Sequence, residues 1–227
     1  MNVVLSVGGS SINPNGEPDL NFLKAMANMI KESKWNFGIL TGGGYTARKY
    51  ADSARGLGAS EYEADCIGIT STIQNAQLFI AALSAAGVDV YKKALGDFEI
   101  ARSCKNKAVV MGGMVPGMTT DSDAVLLAEA TGAKRLVNIS NVNGIYDRNP
   151  NKNPNAKKYA KMTYEQLVKL AAKSDMRMAG THFVFDMLAC KLIARSKIET
   201  HFVSGANMND IKNAIEGKKH NGTVVYG

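Results

Sequence analysis

Three short apolar runs in this chain end in consecutive glycines, and that recurrence restricts the fold more than any other feature. Residues 1–7 lead into Gly8-Gly9-Ser10, residues 37–41 into Gly42-Gly43-Gly44, and residues 108–111 into Gly112-Gly113. Glycines lack the Cβ atoms that keep a ligand off the backbone, and a helix starting next offers free N–H donors to an anion. In an open α/β sheet the carboxyl ends of parallel strands face one crevice, so the three turns predict a shared ligand edge. The third is the richest: Met114-Val115-Pro116-Gly117-Met118 is followed by Thr119, Thr120 and Asp121 at the expected start of a helix. That run has the make-up of a phosphate site.

Strands and helices alternate along the rest of the chain. Asp19 is placed to cap a helix whose apolar positions Leu20, Leu23, Met26, Ala27 and Ile30 follow helical spacing. A strand over 37–40 precedes a helix over 45–55 that stops at Gly56. Ser60 and Glu63 have capping-box spacing and open a long apolar helix reaching Leu83, ended by Gly87 and followed by a strand over 88–91. Then come a short helix over 98–103, a strand over 108–111 that the pattern makes central, a helix over 120–130 and a strand over 136–139. Thr163 and Gln166 form a second capping box, and their helix fades by Lys173 into a flexible connection over 174–180. A buried helix over 183–195, a strand over 199–203, a capped helix over 207–215 and a closing strand over 223–226 complete the pattern. This predicts an α/β three-layer sandwich with a mainly parallel central sheet, in a length that allows one large domain or two closely joined lobes.

Composition removes several classes. Hydrophobic residues make up 45% of the 227, enough for a sizeable core, so disorder is not expected. The first apolar run is short and lacks a basic segment before it, and no later run approaches about 20 residues. A soluble, cytoplasmic protein with no membrane partner is expected. Cys66, Cys104 and Cys190 are odd in number without C-x-x-C spacing, which reads as reduced core thiols and predicts no protein-built metal centre. The net charge of +7 fits small polyanions, a membrane surface or nucleic acid. Aromatics are only 7% and are not interleaved with the basic residues, which disfavours a single-strand stacking platform.

The usual signatures of P-loop nucleotide sites, dinucleotide folds, zinc proteases and serine hydrolases are all missing. Within the turns, Gly8-Gly9 reads equally as a tight turn. Gly42-Gly43-Gly44 asks for a closer approach, since three glycines lose chain entropy without burying side chains. Arg48, one helical turn beyond Gly44, is placed either to meet an anion at the helix start or to be solvated. Asp121 reads as a helix cap or, beside phosphates, as the partner of magnesium or a lysine. Asp65, among apolar helical neighbours, suits a polar ligand or a salt bridge. His182, His201 and His220 are far apart and read as surface or core residues.

Taken in order, the runs 7–10, 41–50, 111–121 and 140–146 resemble the amino acid kinase family, and within it the uridylate (UMP) kinases of archaeal type. The likeness runs nearly the full length and implies a single domain over 1–227. It implies that Gly8, Gly9 and Ser10 meet the ATP phosphates, and that Gly44 and Arg48 act on the ATP side. Gly43 and Asp65 would lie on the UMP side, with Asp65 on the ribose hydroxyls. Met114, Val115, Pro116, Gly117, Met118, Thr119 and Thr120 would wrap UMP. Asp121 would organise transfer, with Gly9 and Arg48 as the other catalytic groups. Ser140, Asn141, Tyr146 and Asn149 would line the ATP nucleoside pocket, making residues 135–227 the ATP side of the domain. The resemblance further implies ATP as co-substrate, Mg2+ and a homohexamer. Many relatives carry a lysine where this chain has Ser6 or Ser10, and aspartates where it has Asn143 and Asn149. Charge stabilisation here rests more on backbone N–H groups, magnesium and Arg48 or another cation such as Lys161.

The expected activity is therefore ATP-dependent phosphorylation of UMP to UDP. Isopentenyl phosphate kinase is the nearest alternative within the family, favoured by a histidine soon after the triple glycine, where this chain has Tyr45-Thr46-Ala47-Arg48. A nucleotide-binding regulator or storage protein without turnover is a second alternative, and an RNA-binding protein, on charge alone, a third.

Overall fold

The computed structural model describes residues 1–150, 152–175 and 185–227. In chain order these hold β1 (Val3–Val7), α1 (Gly9–Ile12), α2 (Leu20–Glu32), β2 (Phe37–Thr41), α3 (Gly44–Gly56), α4 (Glu61–Ala85), α5 (Phe98–Ser103) and β3 (Ala108–Met111). They continue with α6 (Thr120–Thr131), β4 (Arg135–Ser140), β5 (Ile145–Tyr146), β6 (Lys158–Tyr159), β7 (Lys161–Thr163) and α7 (Tyr164–Asp175). The last are α8 (Met187–Ser196), β8 (Glu199–Ser204), α9 (Met208–Glu216) and β9 (Thr223–Tyr226).

Seven strands form one sheet in the order β3-β2-β1-β4-β8-β9-β7. The first five are mutually parallel, β9 runs antiparallel to β8, and β7 is parallel to β9. Successive strands step outward from β1 through β2 to β3, and the chain then returns to the other side of β1 with β4. The order therefore reverses between β1 and β4, where an α/β sheet opens a crevice at its carboxyl edge. Two apolar clusters cover the faces. One joins Leu5, Val7, Ile39 and Val137 to α2, α4 and α9; the other joins Val4, Leu40, Val109 and Leu136 to α6, α7 and α8. Such strands are buried on both sides and so read as continuous apolar runs. Fully buried side chains such as Phe37, Phe79 and Phe202 each stabilise the fold by roughly 1.5–3 kcal/mol.

Local capping sets most helix starts. Asp19 accepts from the Phe22 N–H at 2.9 Å, and Ser60 and Glu63 form a complete capping box. Thr163 and Gln166 hydrogen-bond reciprocally, and Asn207 caps α9. By length and composition α4 could cross a membrane, yet its Ala76, Phe79, Ile80 and Leu83 are buried in the core.

Some expectations change. The strand expected over 88–91 is not formed: the chain touches β3 only through isolated bridges at Val90–Ala108 and Leu95–Met111, with the segment between swinging clear. The 108–111 strand lies at the edge of the sheet, not its centre. Leu20 is 56% exposed, because the first position of α2 points away from the sheet. Of the connection expected over 174–180 and the helix expected over 183–195, residues 176–184 lie outside the described residues. Cys190 is buried, and burial pushes its thiol well above the ordinary range, while Cys66 and Cys104 are only half-buried.

A polar chain runs beneath α9. The Gly222 N–H donates to His220 Nδ1 at 3.0 Å, so neutral His220 carries its hydrogen on Nε2 and donates it to His201 Nδ1 at 2.8 Å. His201 Nε2 then donates to Glu199 Oε1 at 2.9 Å, which also accepts from Arg135 Nε at 2.7 Å. Arg135 ends the chain by donating to the Ile215 carbonyl.

Candidate active site

The crevice is built on the β1–β4 pair. Ser6 and Asn138 stand side by side in register, and both donate to Oδ1 of Asp121, at 2.7 and 3.2 Å. Thr119, not Asp121, caps α6, accepting from the Ser122 N–H at 3.4 Å. The Asp121 carboxylate is thus free of the helix end and turned onto the sheet. Its second oxygen has no hydrogen-bond partner among the described residues, and neither does the buried Oδ1 of Asn138. Burial pushes the Asp121 carboxyl up to about 7. Ser6 opposes that shift, nearby Asp186 adds to it, and Asn138 opposes it more weakly.

Asp186 is the residue that sequence reasoning missed. As the N-cap of α8 it accepts from the Ala189 N–H at 2.8 Å, from Ser122 Oγ at 3.1 Å and, in a short contact, from Thr119 Oγ1. It thereby locks the Thr119 end of the third glycine turn to α8. Asp123 anchors the other end, accepting from the Met114 N–H at 3.1 Å; burial raises its carboxyl to about 6. An acidic residue before an apolar helix was the available signal for Asp186. For Ser6 and Asn138 it was a polar residue inside an otherwise apolar strand.

The glycines pack on one another. A Cβ on Gly9 would stand 2.0 Å from the Gly44 nitrogen, and one on Gly42 would stand 2.7 Å from the Gly9 nitrogen. Gly44 has φ +66°, and its missing Cβ lets it pass Asn13 Oδ1 and the Gly9 carbonyl. The first two turns are therefore interlocked backbone against backbone, which accounts for the triple glycine. Asn75 secures the joint by donating to the Gly42 carbonyl at 2.7 Å. Gly112 lies equally tight against Thr72, whose hydroxyl receives the Gly113 N–H at 2.6 Å.

Gly8, Gly9, Ser10, Gly43 and Gly44 follow the carboxyl ends of β1 and β2, at the same edge as Asp121. Arg48 is exposed on α3, with no hydrogen bond or ion pair to another side chain among the described residues. Asp65 makes no salt bridge among the described residues: its Oδ2 accepts from the Gly117 N–H at 2.7 Å, tying α4 to the loop that carries Val115, Pro116 and Met118. Thr120 opens α6. At the carboxyl end of β4, Ser140 Oγ exchanges hydrogen bonds with the Val142 backbone, Asn141 is exposed, and Tyr146 sits half-buried on β5. The Asn149 carbonyl accepts from the N–H groups of Lys152 and Asn153. Lys161 lies away from these groups on the far edge strand, 5.7 Å from the Tyr226 ring.

The sequence profile of the amino acid kinase family matches residues 1–204. The chain belongs to the amino acid kinase family. Among relatives in that family, the uridylate kinase of Thermococcus kodakarensis is 42% identical, with 99% of each chain covered. That of Methanocaldococcus jannaschii is 40% identical, with both chains covered in full. The crystal structure of the Archaeoglobus fulgidus uridylate kinase superposes with a TM-score of 0.86 at 38% identity, covering 99% of this chain and 100% of that one. A UMP kinase from Bacillus anthracis shares the amino acid kinase fold at 21% identity, with a TM-score of 0.83 over 99% of this chain and 95% of its own.

Proposed function

We propose that this chain is an ATP-dependent UMP kinase, transferring the γ-phosphoryl group of ATP to the phosphate of UMP to give UDP and ADP. The observation that carries the reading is near-full-length likeness, at about 40% identity, to several uridylate kinases. The site geometry supports it, since three glycine turns and the Asp121 carboxylate lie along the carboxyl edge of the parallel strands.

A phosphate oxygen of UMP attacks the γ-phosphorus in line and ADP leaves, with no covalent enzyme intermediate. The transition state is loose and highly charged, so the protein has to align the two phosphates and neutralise charge. N–H groups at the starts of α1 and α3 face the developing charge, and Arg48 reaches toward the ATP phosphates. The loop over 114–120 encloses UMP, with Thr119 and Thr120 nearest its phosphate and Asp65 at its ribose. Ser140, Asn141, Tyr146 and Asn149 hold the nucleoside of ATP, so residues 135–227 form the donor side.

Among the described residues no three His, Cys, Asp or Glu side chains gather as a metal centre. Mg2+ favours phosphate oxygens with one or two protein oxygens, and the unpaired Asp121 Oδ2 and Asn138 Oδ1 fit that demand. Bound there with the nucleotide, Mg2+ would supply neutralisation of the phosphate charge. Asp121 would hold it, and Ser6 and Asn138 would fix the orientation of Asp121. The proposal extends to a cytoplasmic location and, from the family resemblance, to a homohexamer; exposed Tyr50, Leu57 and Tyr62 on α3, its end and α4 offer apolar surface for a subunit contact, and light scattering tests the oligomeric state.

His201 and His220 are engaged with each other beneath α9, away from the triple glycine, which weighs against the isopentenyl phosphate reading. The test is coupled ADP release with UMP, CMP, isopentenyl phosphate, carbamate and N-acetylglutamate side by side. UMP is expected to lead by a wide margin, and an equal rate with isopentenyl phosphate would overturn the assignment.

A further inference from the structure

The hairpin that carries Tyr146 is too small to hold its own shape. β5 and β6 have two residues each and form a separate two-stranded sheet, pairing only Ile145 with Tyr159 and Tyr146 with Lys158. An isolated hairpin of this size is not stable in water. Something outside it must fix it, and that is the start of β9.

Thr223 is fully buried, and its one hydroxyl bonds to both strands. It accepts from the Ile145 N–H at 2.8 Å and donates, in a short contact, to the Tyr159 carbonyl. Ile145 and Tyr159 face each other across the hairpin, so the hydroxyl stands between a donor and an acceptor of paired residues. The preceding loop is shaped to reach it. Gly144 has φ +99°, and a Cβ there would stand 2.6 Å from Thr223 Oγ1. Two further bonds hold the hairpin to the same segment, from Lys158 Nζ to the Asn221 carbonyl and from the Val224 N–H to the Ala160 carbonyl. Thr223 is itself held in β9, opposite Phe202 of β8.

We infer that Thr223 is a positioning residue for the donor nucleotide: its hydroxyl sets the place of the β5–β6 hairpin and so of Tyr146, without touching substrate. The inference rests on the reading that Tyr146 lines the ATP nucleoside pocket. Thr223→Val keeps the shape and β-branching of the side chain and removes the hydroxyl, so the buried Ile145 N–H and the part-buried Tyr159 carbonyl both lose it as a partner. Thr223→Ser keeps the hydroxyl.

Steady-state kinetics with each substrate varied in turn, alongside thermal melting, provide the test. Thr223→Val is expected to raise KM for ATP by roughly tenfold, the scale of a lost buried hydrogen bond, while KM for UMP stays within about twofold. Thr223→Ser should restore the ATP value to near wild type. Tyr146→Ala is measured beside them. If it raises KM for ATP and Thr223→Val does not, the inference about Thr223 fails while the pocket assignment stands. If Tyr146→Ala leaves KM for ATP unchanged, the pocket assignment fails and takes the inference with it. Equal loss toward both substrates in Thr223→Val would mark a purely structural residue and also overturn it. Should the valine variant not fold, Thr223→Ala compared with Thr223→Ser gives the same contrast.

Discussion

Ser6 Oγ donates to Asp121 Oδ1 at 2.7 Å, joining the carboxyl end of β1 to the first turn of α6. With Asn138 on the same oxygen, the carboxylate is held in one orientation and its other oxygen is presented to the crevice. The arrangement is that of a positioned charge, and the helix-capping role falls to Thr119.

Asp121→Asn keeps a hydrogen-bonding side chain of the same size and deletes the charge. Turnover is expected to drop by about a hundredfold or more, while equilibrium affinity for UMP stays within a few-fold. Measuring kcat beside UMP binding separates the two effects. Turnover near wild type at saturating magnesium would return Asp121 to a structural part.

Gly9→Ala places a Cβ on the Gly44 backbone, where no side chain can yield. A loss of roughly 3 kcal/mol or more is expected, against a smaller one for Gly8→Ala, whose added Cβ would stand 3.1 Å from the Ile139 carbonyl. Thermal and denaturant melts of the two variants provide the comparison.

Arg48→Ala should leave the melting temperature unchanged, since the side chain is exposed and makes no hydrogen bond or ion pair with another side chain among the described residues. KM for ATP should rise by roughly threefold to tenfold, as expected for a charge-assisted contact partly open to water. A change confined to UMP would place the residue on the wrong substrate.

Asp65→Ala frees the Gly117 N–H and removes the group assigned to the ribose. KM for UMP is expected to rise while KM for ATP holds. In the wild type, deoxy-UMP should be the poorer acceptor, and that preference should vanish in the variant.

The elements legible in the sequence were those set by neighbours along the chain. Apolar runs ending in glycine gave β1, β2 and β3, and side-chain caps at Asp19, Ser60, Thr163 and Asn207 marked four helix starts. What escaped depends on contacts distant in sequence. Ser6 and Asn138 converge only because β1 and β4 pair in register, and Asp186 meets Thr119 only because α8 packs on α6. The 88–91 segment carries strand-forming residues, yet it meets β3 at single points because the chain bends away between Tyr91 and Leu95. Tyr146 was singled out by resemblance alone, and nothing local announced that Thr223 holds its hairpin.

The His201–His220 pair predicts loss of stability in acid. Burial, opposed by the Glu199 hydrogen bond, holds His201 down at about 4, against an unfolded value near 6.5. His220 and Arg135 press in the same direction as burial. His220 is lowered too, mainly by burial, with Asp210 opposing and Lys158 assisting. Below 6.5 the unfolded chain takes up protons that the folded chain refuses. The contribution is therefore complete above 6.5 and is lost as pH falls toward 4, on the order of 3 kcal/mol for His201. Denaturant midpoints across that range should fall for wild type and fall less steeply in His201→Gln.

The placement of β1 between β2 and β4 also governs how the protein acquires its shape. One neighbour of β1 lies close in sequence, but the other begins at Arg135, paired with Val3, and β4 in turn awaits β8 beginning at Glu199. Loop closures of that length cost entropy before they return contacts, which slows a fold that depends on pairing β1 with β4 and β4 with β8. On a ribosome the first strand would emerge long before its second partner exists, leaving its unpaired edge exposed for most of synthesis. The same register that aligns Ser6 with Asn138 makes the formation of this site a late event.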